Sequence, residues 1–432
     1  MTGNWSQASV NKMKKNKIVI AGGGFAGLAA ASHLDKRLAH RPDIEVVLIS
    51  RENFILFTPM LHEVAAGDLN PSDIVNPLRR ILRHVKIVQA DLQAIDPNER
   101  RIRCCGGVAE LEFELEYDHL LLALGSETNF LDVPGLSDWA VTMKSLGDAA
   151  LLRNRVVALL EEANLQDDRE VQRQLLTFVI AGGGFSGVET TGAINDFVRE
   201  AAEYYPDLNE ELIRIVLVHP GRFLLPELDE ELGEYTERKL RERKVEVISG
   251  VRVAGYDDGS LVRLSDGNSI PASSLIWTAG IKPSQVIAQL PWHKERGRPL
   301  VNGFLQIPGV PGLWAAGDCA AVPDGTSGKF HPPTAQHGLR QGLVAAKNIA
   351  WCLWRTIYLL KLPRLAKKLR VISGWTLDLL FSKEIEQIIT LRDVEELTNR
   401  LTRIRERTEK EISKPARSAT EPQQHLTLLR EK

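Results

Sequence analysis

Two stretches of this 432-residue chain open alike: VIAGGGFAGLAA from Val19 and VIAGGGFSGVET from Val179. Each carries G-x-G-x-x-G, on Gly22, Gly24 and Gly27 and again on Gly182, Gly184 and Gly187. A β-branched run precedes each set, and a helix-forming run follows. The first glycine permits a tight turn, the second lets the backbone approach a pyrophosphate, and the third lets the helix pack close to the strand. The helix start then offers free N–H groups and a positive dipole end to phosphates. Phe25, Ala26 and Phe185 occupy those helix starts and count with the glycines as cofactor-binding candidates. One such loop is a weak signal. Two, both between a strand and a helix, point to two dinucleotides. A flavin and a nicotinamide are the natural pair, because one passes hydride to the other.

A unit of this kind usually ends its second strand on an acidic residue that meets the ribose hydroxyls. Here IEVVLIS ends at Ser50, followed by Arg51, and IRIVLVH ends at His219, with Arg222 close behind. Neither end carries Asp or Glu. Ser50 can still hydrogen-bond a ribose. At the second site no terminal carboxylate repels a 2′-phosphate, so NADPH is not excluded beside NADH.

Other chemistries find little support. The four cysteines, Cys104, Cys105, Cys319 and Cys352, form no C-x-x-C pair, which argues against a zinc ribbon or a thioredoxin-type dithiol. No metal site is expected. They do not form a secreted disulfide framework either, which points to a reducing compartment. A formal net charge of −2 argues against a nucleic-acid partner. No stretch reaches the roughly 18 apolar residues of a spanning helix.

The elements that must position these loops follow from patterning. Each half reads as a βαβ unit, then an antiparallel meander, then an apolar strand ending in LALG at Gly125 or WTAG at Gly280. The expected fold is α/β, with two Rossmann-like dinucleotide-binding domains, each with a small meander. Residues 1–13 read as a disordered lead-in, 14–145 and 283–350 as one dinucleotide-binding domain in two parts, and 146–282 as the other. Residues 351–385 carry Trp351, Trp354, Tyr358 and Trp375 among basic residues, the composition of amphipathic helices lying on a membrane surface. Residues 386–432 read as a charged helix, suited to pairing with a second copy, and a disordered tail.

The motifs GGGFAGL, RENFILFTPMLHEVAAG, GGGFSGVETTG, GLWAAGDCA and PPTAQHGLRQG carry a family resemblance. The chain resembles the type II NADH:quinone oxidoreductases, single-chain, non-pumping NADH dehydrogenases among the two-dinucleotide flavoproteins. The resemblance implies FAD on Gly22, Gly24 and Gly27, with Gly317 and Asp318 at its ribityl and pyrophosphate portion. It implies NADH on Gly182, Gly184 and Gly187, with Glu189 beside the nicotinamide. Ala335 and Gln336 would lie at the flavin and the quinone head group, and Gln336 would offer a donor and an acceptor to a quinone carbonyl. The implied reaction is ping-pong NADH oxidation with quinone reduction, by a peripheral enzyme on the cytoplasmic face of a bacterial-type membrane. Related readings are a sulfide:quinone or ferredoxin-type reductase and a non-catalytic redox sensor. The chain departs from the family at one junction: AAKNIA runs directly into WCLWRTIY, where the family carries a Lys/Arg-Phe-x-Tyr run and further strands.

Overall fold

The structure is a computed structural model that describes residues 15–361, Pro206 excepted, and residues 368, 369 and 373. The expected lead-in, most of the expected membrane-surface region and the whole of 386–432 lie outside the described residues. Apart from residues 357–361, the architecture below belongs to the compact unit that ends at Thr356.

The chain enters through β1 (Asn16–Ala21), turns at the first glycine loop into α1 (Phe25–Arg37) and returns as β2 (Ile44–Ser50). After a short helix, α2 (Leu61–Ala66), come β3 (Lys86–Gln89), a three-stranded antiparallel meander over residues 91–116, and β4 (His119–Leu122). A two-residue strand, β5 (Val141–Thr142), leads to α3 (Leu146–Asn164). The pattern then repeats as β6 (Thr177–Ala181), α4 (Phe185–Ala202), β7 (Arg214–His219), α5 (Glu230–Glu242) and β8 (Val245–Ser249). A second meander over residues 253–271 precedes β9 (Ser274–Trp277). The chain finally adds β10 (Leu313–Ala315) and the long helix α6 (Ala335–Lys361).

Two five-stranded parallel sheets result. Their orders are β10-β4-β1-β2-β3 and β5-β9-β6-β7-β8. Each glycine-loop strand sits centrally, with Ile18 paired to Val46 and His119, and Phe178 paired to Ile215 and Ser274. Parallel sheets are covered on both faces, so their strands read as unbroken apolar runs; Ile18–Ala21 and Phe178–Ala181 are accordingly buried. The meanders at residues 91–116 and 253–271 confirm that the repeat extends past the loops. The fifth strands have different origins. β10 returns from the C-terminal side to complete the first sheet, whereas β5 precedes the second sheet in sequence.

Two carboxylates hold these pieces together, the first of them buried. Asp35, on α1, accepts the backbone N–H groups of Arg83, His84 and Val85 and so docks the approach to β3. Asp148 accepts from the Thr142 hydroxyl and from the Lys144 and Ser145 N–H groups, while Ser145 caps α3 in return. This capping box fixes the turn from β5 into α3.

The apolar face of α2, through Leu61, Val64 and Ala65, enters the same core as Ala149 and Leu152 of α3 and Ile194 and Val198 of α4. A helix contributed by the first half is thus packed into the second. α6 runs without interruption across the Ala350–Trp351 junction, so the departure from the family pattern falls inside one helix. Among the described residues no helix is long and apolar enough to cross a membrane.

Candidate functional site

The two loops share one construction. Gly22 and Gly182 adopt φ of +111° and +121°, which L side chains rarely enter. A Cβ on Gly27 would overlap the Gly22 carbonyl oxygen, and one on Gly187 would overlap that of Gly182. By contrast, a Cβ on Gly24 would meet nothing within 4 Å, and one on Gly184 only Glu227 Oε1, at 3.8 Å. The approach to each second glycine is therefore open.

The helix starts match that opening. Gly24 and Gly184 are the N-caps of α1 and α4, with no side-chain cap and no acidic residue in the first turn. Helices α3 and α5 are closed by Ser145 and Asp229. An uncapped start leaves backbone donors for a ligand. Two open glycine cradles with free N–H groups fit two pyrophosphates, and so fit FAD and a nicotinamide nucleotide.

Around the first loop the structure gathers most of the residues singled out in the sequence. Ser50 is buried at the end of β2, with its hydroxyl packed against Gly23. Arg51 is paired with Asp91 at 2.7 Å and Glu127 at 3.5 Å. Gly317 has φ of +76° and its N–H donates to Gln341 Oε1 at 2.8 Å. Asp318 accepts from the Ser126 hydroxyl at 3.2 Å, and Lys144 Nζ donates to that same hydroxyl at 3.2 Å. Burial lowers the Lys144 pKa, with Asp318 opposing. Gly125, next to Ser126, has φ of +69° and open space where a Cβ would stand. Helix α6 lies directly on α1: a Cβ on Gly342 would overlap the Ala26 carbonyl, and Gly338 lies close to Phe25. Phe25 meets Phe57 edge to face, with centroids 5.8 Å apart. Ala335 and Gln336 open α6, with Gln336 exposed.

At the second loop, Glu189 lies one turn into α4. Its Oε2 is 3.7 Å from His62 Nδ1, and His62 Nε2 is 4.0 Å from Glu63 Oε1. Burial raises the Glu189 pKa, His62 opposes, and Glu63 raises it further. Because His62 and Glu63 ride on α2, this cluster joins the two halves. His219 is only 7% exposed and is turned beneath the loop, where its Nδ1 accepts the Gly183 N–H at 3.1 Å. Arg222 is 85% exposed on its side chain and reaches Glu230 at 3.4 Å. Gly280 has φ of +82° and packs near Asn129, in the segment linking the halves.

Cys319 is a core residue. Its thiol lies 3.4 Å from the Leu122 carbonyl and 3.3 Å from that of Ala316, and burial pushes its pKa up to about 11. That environment suppresses the reactive thiolate. Among the described residues no cluster of His, Cys, Asp or Glu could hold a metal ion.

Sequence reasoning did not single out His62, Ser126, Lys144, Glu227 or Gln341 as site residues. His62 and Gln341 lie inside quoted motifs, LHEVAAG and QHGLRQG. Lys144, Ser126 and Glu227 carried no local signal, because their relevance arises from residues 174, 192 and 43 positions away (Asp318, Asp318 and Gly184).

Comparison with known proteins places this geometry. An external alternative NAD(P)H-ubiquinone oxidoreductase B4 of Arabidopsis thaliana mitochondria is 30% identical over 328 residues, 72% of this chain and 55% of that protein. The chain thus spans little more than half the length of that relative. A type II NADH:quinone oxidoreductase of Mycobacterium tuberculosis is 28% identical over 428 residues, 87% of this chain and 91% of the relative. The structure of NDH2 from Plasmodium falciparum in complex with NADH superposes with a TM-score of 0.71 at 21% identity, covering 77% of this chain and 83% of that one, which establishes the likeness of fold. The family profile described as pyridine nucleotide-disulphide oxidoreductase matches residues 16–342, the span that contains both glycine loops and the Gly317–Asp318 turn. With two parallel sheets, two open cradles and that match, the chain belongs to the pyridine nucleotide-disulphide oxidoreductase family.

Proposed function

We propose that this protein oxidises NADH, accepts NADPH as well, and passes the electrons through FAD to a membrane quinone in a ping-pong cycle, without pumping protons. The observation that carries the reading is the pairing of two open, uncapped glycine cradles with a carboxylate–imidazole cluster between their halves. The quinone-reductase relatives point the same way. On this reading residues 14–145 and 283–350 hold FAD, and residues 146–282 hold the nicotinamide nucleotide.

When bound, FAD supplies the two-electron carrier between nicotinamide and quinone. The chain's residues bind, orient and handle protons. Gly22, Gly24, Phe25, Ala26 and Gly27 receive one pyrophosphate. Ser50 and Arg51 border that cofactor's ribose end, and Gly125, Gly317 and Asp318 border its ribityl portion. Lys144 and Ser126 hold the Asp318 carboxylate in place, and Gln341 holds the Gly317 backbone. Gly182, Gly184, Phe185 and Gly187 receive the second pyrophosphate, flanked by His219 and Gly280. Glu189 orients the carboxamide. Quinol formation from NADH takes up one proton from water, and Glu189 and His62 form a pair able to hold and pass it. At the start of α6, Ala335 shapes the wall and the exposed Gln336 amide offers a donor and an acceptor to a quinone carbonyl. The protein is assigned to the cytoplasmic face of a bacterial-type membrane as a peripheral protein, with a second copy as partner.

The test is a visible spectrum of the detergent-purified protein before and after anaerobic NADH, and again after a short-chain quinone. Bleaching followed by recovery is the expected result. Bleaching without recovery would remove quinone as the acceptor, and absence of flavin would remove the reading altogether.

A further inference from the structure

The end of β7 is where a ribose-binding carboxylate is expected, and this chain places an imidazole there. The ring does not project into the crevice. It fills the space under the loop so tightly that a Cβ on Gly183 would come within 2.7 Å of Nδ1, and one on Gly221 would overlap Nε2. Gly183 N–H donates to Nδ1, which fixes the neutral ring as the Nε2–H tautomer. The first loop has no such strut. Gly23 rests against the Ser50 hydroxyl, which does not titrate in this range.

We propose that His219 is the positioning residue of the second glycine loop: its neutral ring props Gly183 in the shape that receives a nicotinamide nucleotide, and protonation of Nδ1 releases the prop. This rests on the reading of the second loop as the nicotinamide-nucleotide site. Protonation would set one N–H against another across a buried 3.1 Å contact. Burial opposes that protonation and holds the ring's pKa below its ordinary 6.5, while the Phe223 backbone and the Glu227 carboxylate act the other way. Glu227 is the charged group facing the ring from the segment after β7. Arg222, from the same segment, is turned to Glu230. An imidazolium would also attract a pyrophosphate, but across the thickness of the loop, and Coulomb attraction weakens with distance. The contact with Gly183 is direct, so loss of the prop governs the sign.

The experiment is anaerobic NADH titration of the flavin-loaded protein, read as flavin bleaching. It is run at about pH 8, where an ordinary imidazole is neutral, and at steps down to about pH 5. In the unsubstituted protein the half-saturating NADH concentration rises as pH falls below the ordinary imidazole range, while flavin content stays constant. His219→Asn keeps an uncharged side-chain acceptor and makes the rise on acidification shallower. His219→Ala raises half-saturation about tenfold at every pH, the scale of one lost buried hydrogen bond. Equal half-saturation in His219→Ala at about pH 8, tighter NADH binding on acidification, or an unchanged pH slope in His219→Asn would each overturn the proposal alone. Should His219→Ala not fold, the slope comparison between His219→Asn and the unsubstituted protein still decides it. Flavin that NADH never bleaches would overturn the functional reading and this proposal together.

Discussion

Both glycine loops leave a central buried strand and enter a helix without a side-chain cap, yet they are propped by different chemistry. Gly23 packs on the Ser50 hydroxyl, and Gly183 donates to the His219 ring. The surroundings differ too. The first loop is roofed by α6, whose Gly338 and Gly342 let it lie directly on Phe25 and Ala26. At the second loop it is α2 that packs against the following helix, α4, and the nearest atom to an added Cβ at Gly184 is the Glu227 carboxylate. One motif is therefore supported in two ways, and the difference lies in which helices and side chains pack around it.

The comparison is broken most severely at the third glycines. In Gly27→Ala and Gly187→Ala the new Cβ overlaps a backbone carbonyl, and overpacking of this kind costs about 1–3 kcal/mol or more. Gly27→Ala is expected to yield protein without flavin. Gly187→Ala is expected to keep flavin and lose bleaching by NADH. Absorbance at the flavin band separates them, and loss of both functions in both variants would deny the loops separate roles.

A smaller effect is expected from Gln341→Leu. It strands the Gly317 N–H, which donates at 2.8 Å to Oε1 of Gln341, a residue only 9% exposed. An unsatisfied buried donor costs about 1–3 kcal/mol. Flavin affinity should fall about tenfold while half-saturation by NADH in the loaded protein stays constant. A fall in NADH affinity instead would show that α6 governs the second loop as well.

Next comes the cluster joining the halves. Burial raises the Glu189 pKa above its ordinary 4.5, so the ionised form is disfavoured in the folded state. The sign follows. Relative to Glu189→Gln, the natural protein loses stability as pH rises from the ordinary value through the raised one. Thermal unfolding should show Glu189→Gln equal or weaker at low pH and relatively more stable near neutrality. The rate of bleaching by NADH should drop in the same variant, and a rate unchanged at every pH would take Glu189 out of the reaction.

The smallest effect is expected from Glu227→Gln. Removing a carboxylate near Gly184 should favour the nucleotide with the extra phosphate, moving the NADPH-to-NADH preference by about two- to fivefold, the scale of one solvent-exposed charge interaction. Paired titrations with the two nucleotides measure it. A ratio that does not move would show that this carboxylate turns away when nucleotide binds.

Legibility in the sequence followed the range of the forces involved. The loops were readable because turn, close approach and helix start all fall within six consecutive residues. The meanders were readable from alternating patterns and polar turns. The origin of the fifth strands was not equally readable: β10 is recognisable from GLWAAGDCA, whereas β5 is two residues long and carries almost no pattern. The absence of an acidic residue from the end of β7 is legible in the sequence, where IRIVLVH ends at His219. That its replacement turns inward, and that Glu227 comes up beside Gly184, was not visible, because both depend on how the segment after β7 folds back. Likewise Glu189 stood out by its place in a motif, but its partner His62 belongs to a helix 127 positions earlier (189 − 62).

Local chemistry written in the sequence determined the two nucleotide cradles, the parallel sheets and the family, since glycine conformation, β-branched runs and helix starts act over a few residues. Tertiary structure alone decided how each cradle is supported and what shares its site. Asp318 with Ser126 and Lys144, Gly317 with Gln341, Glu189 with His62, and Gly183 with His219 are all contacts across elements. Their distances depend on how sheets and helices pack, and packing follows from the sum of many weak contacts that no short stretch of residues records.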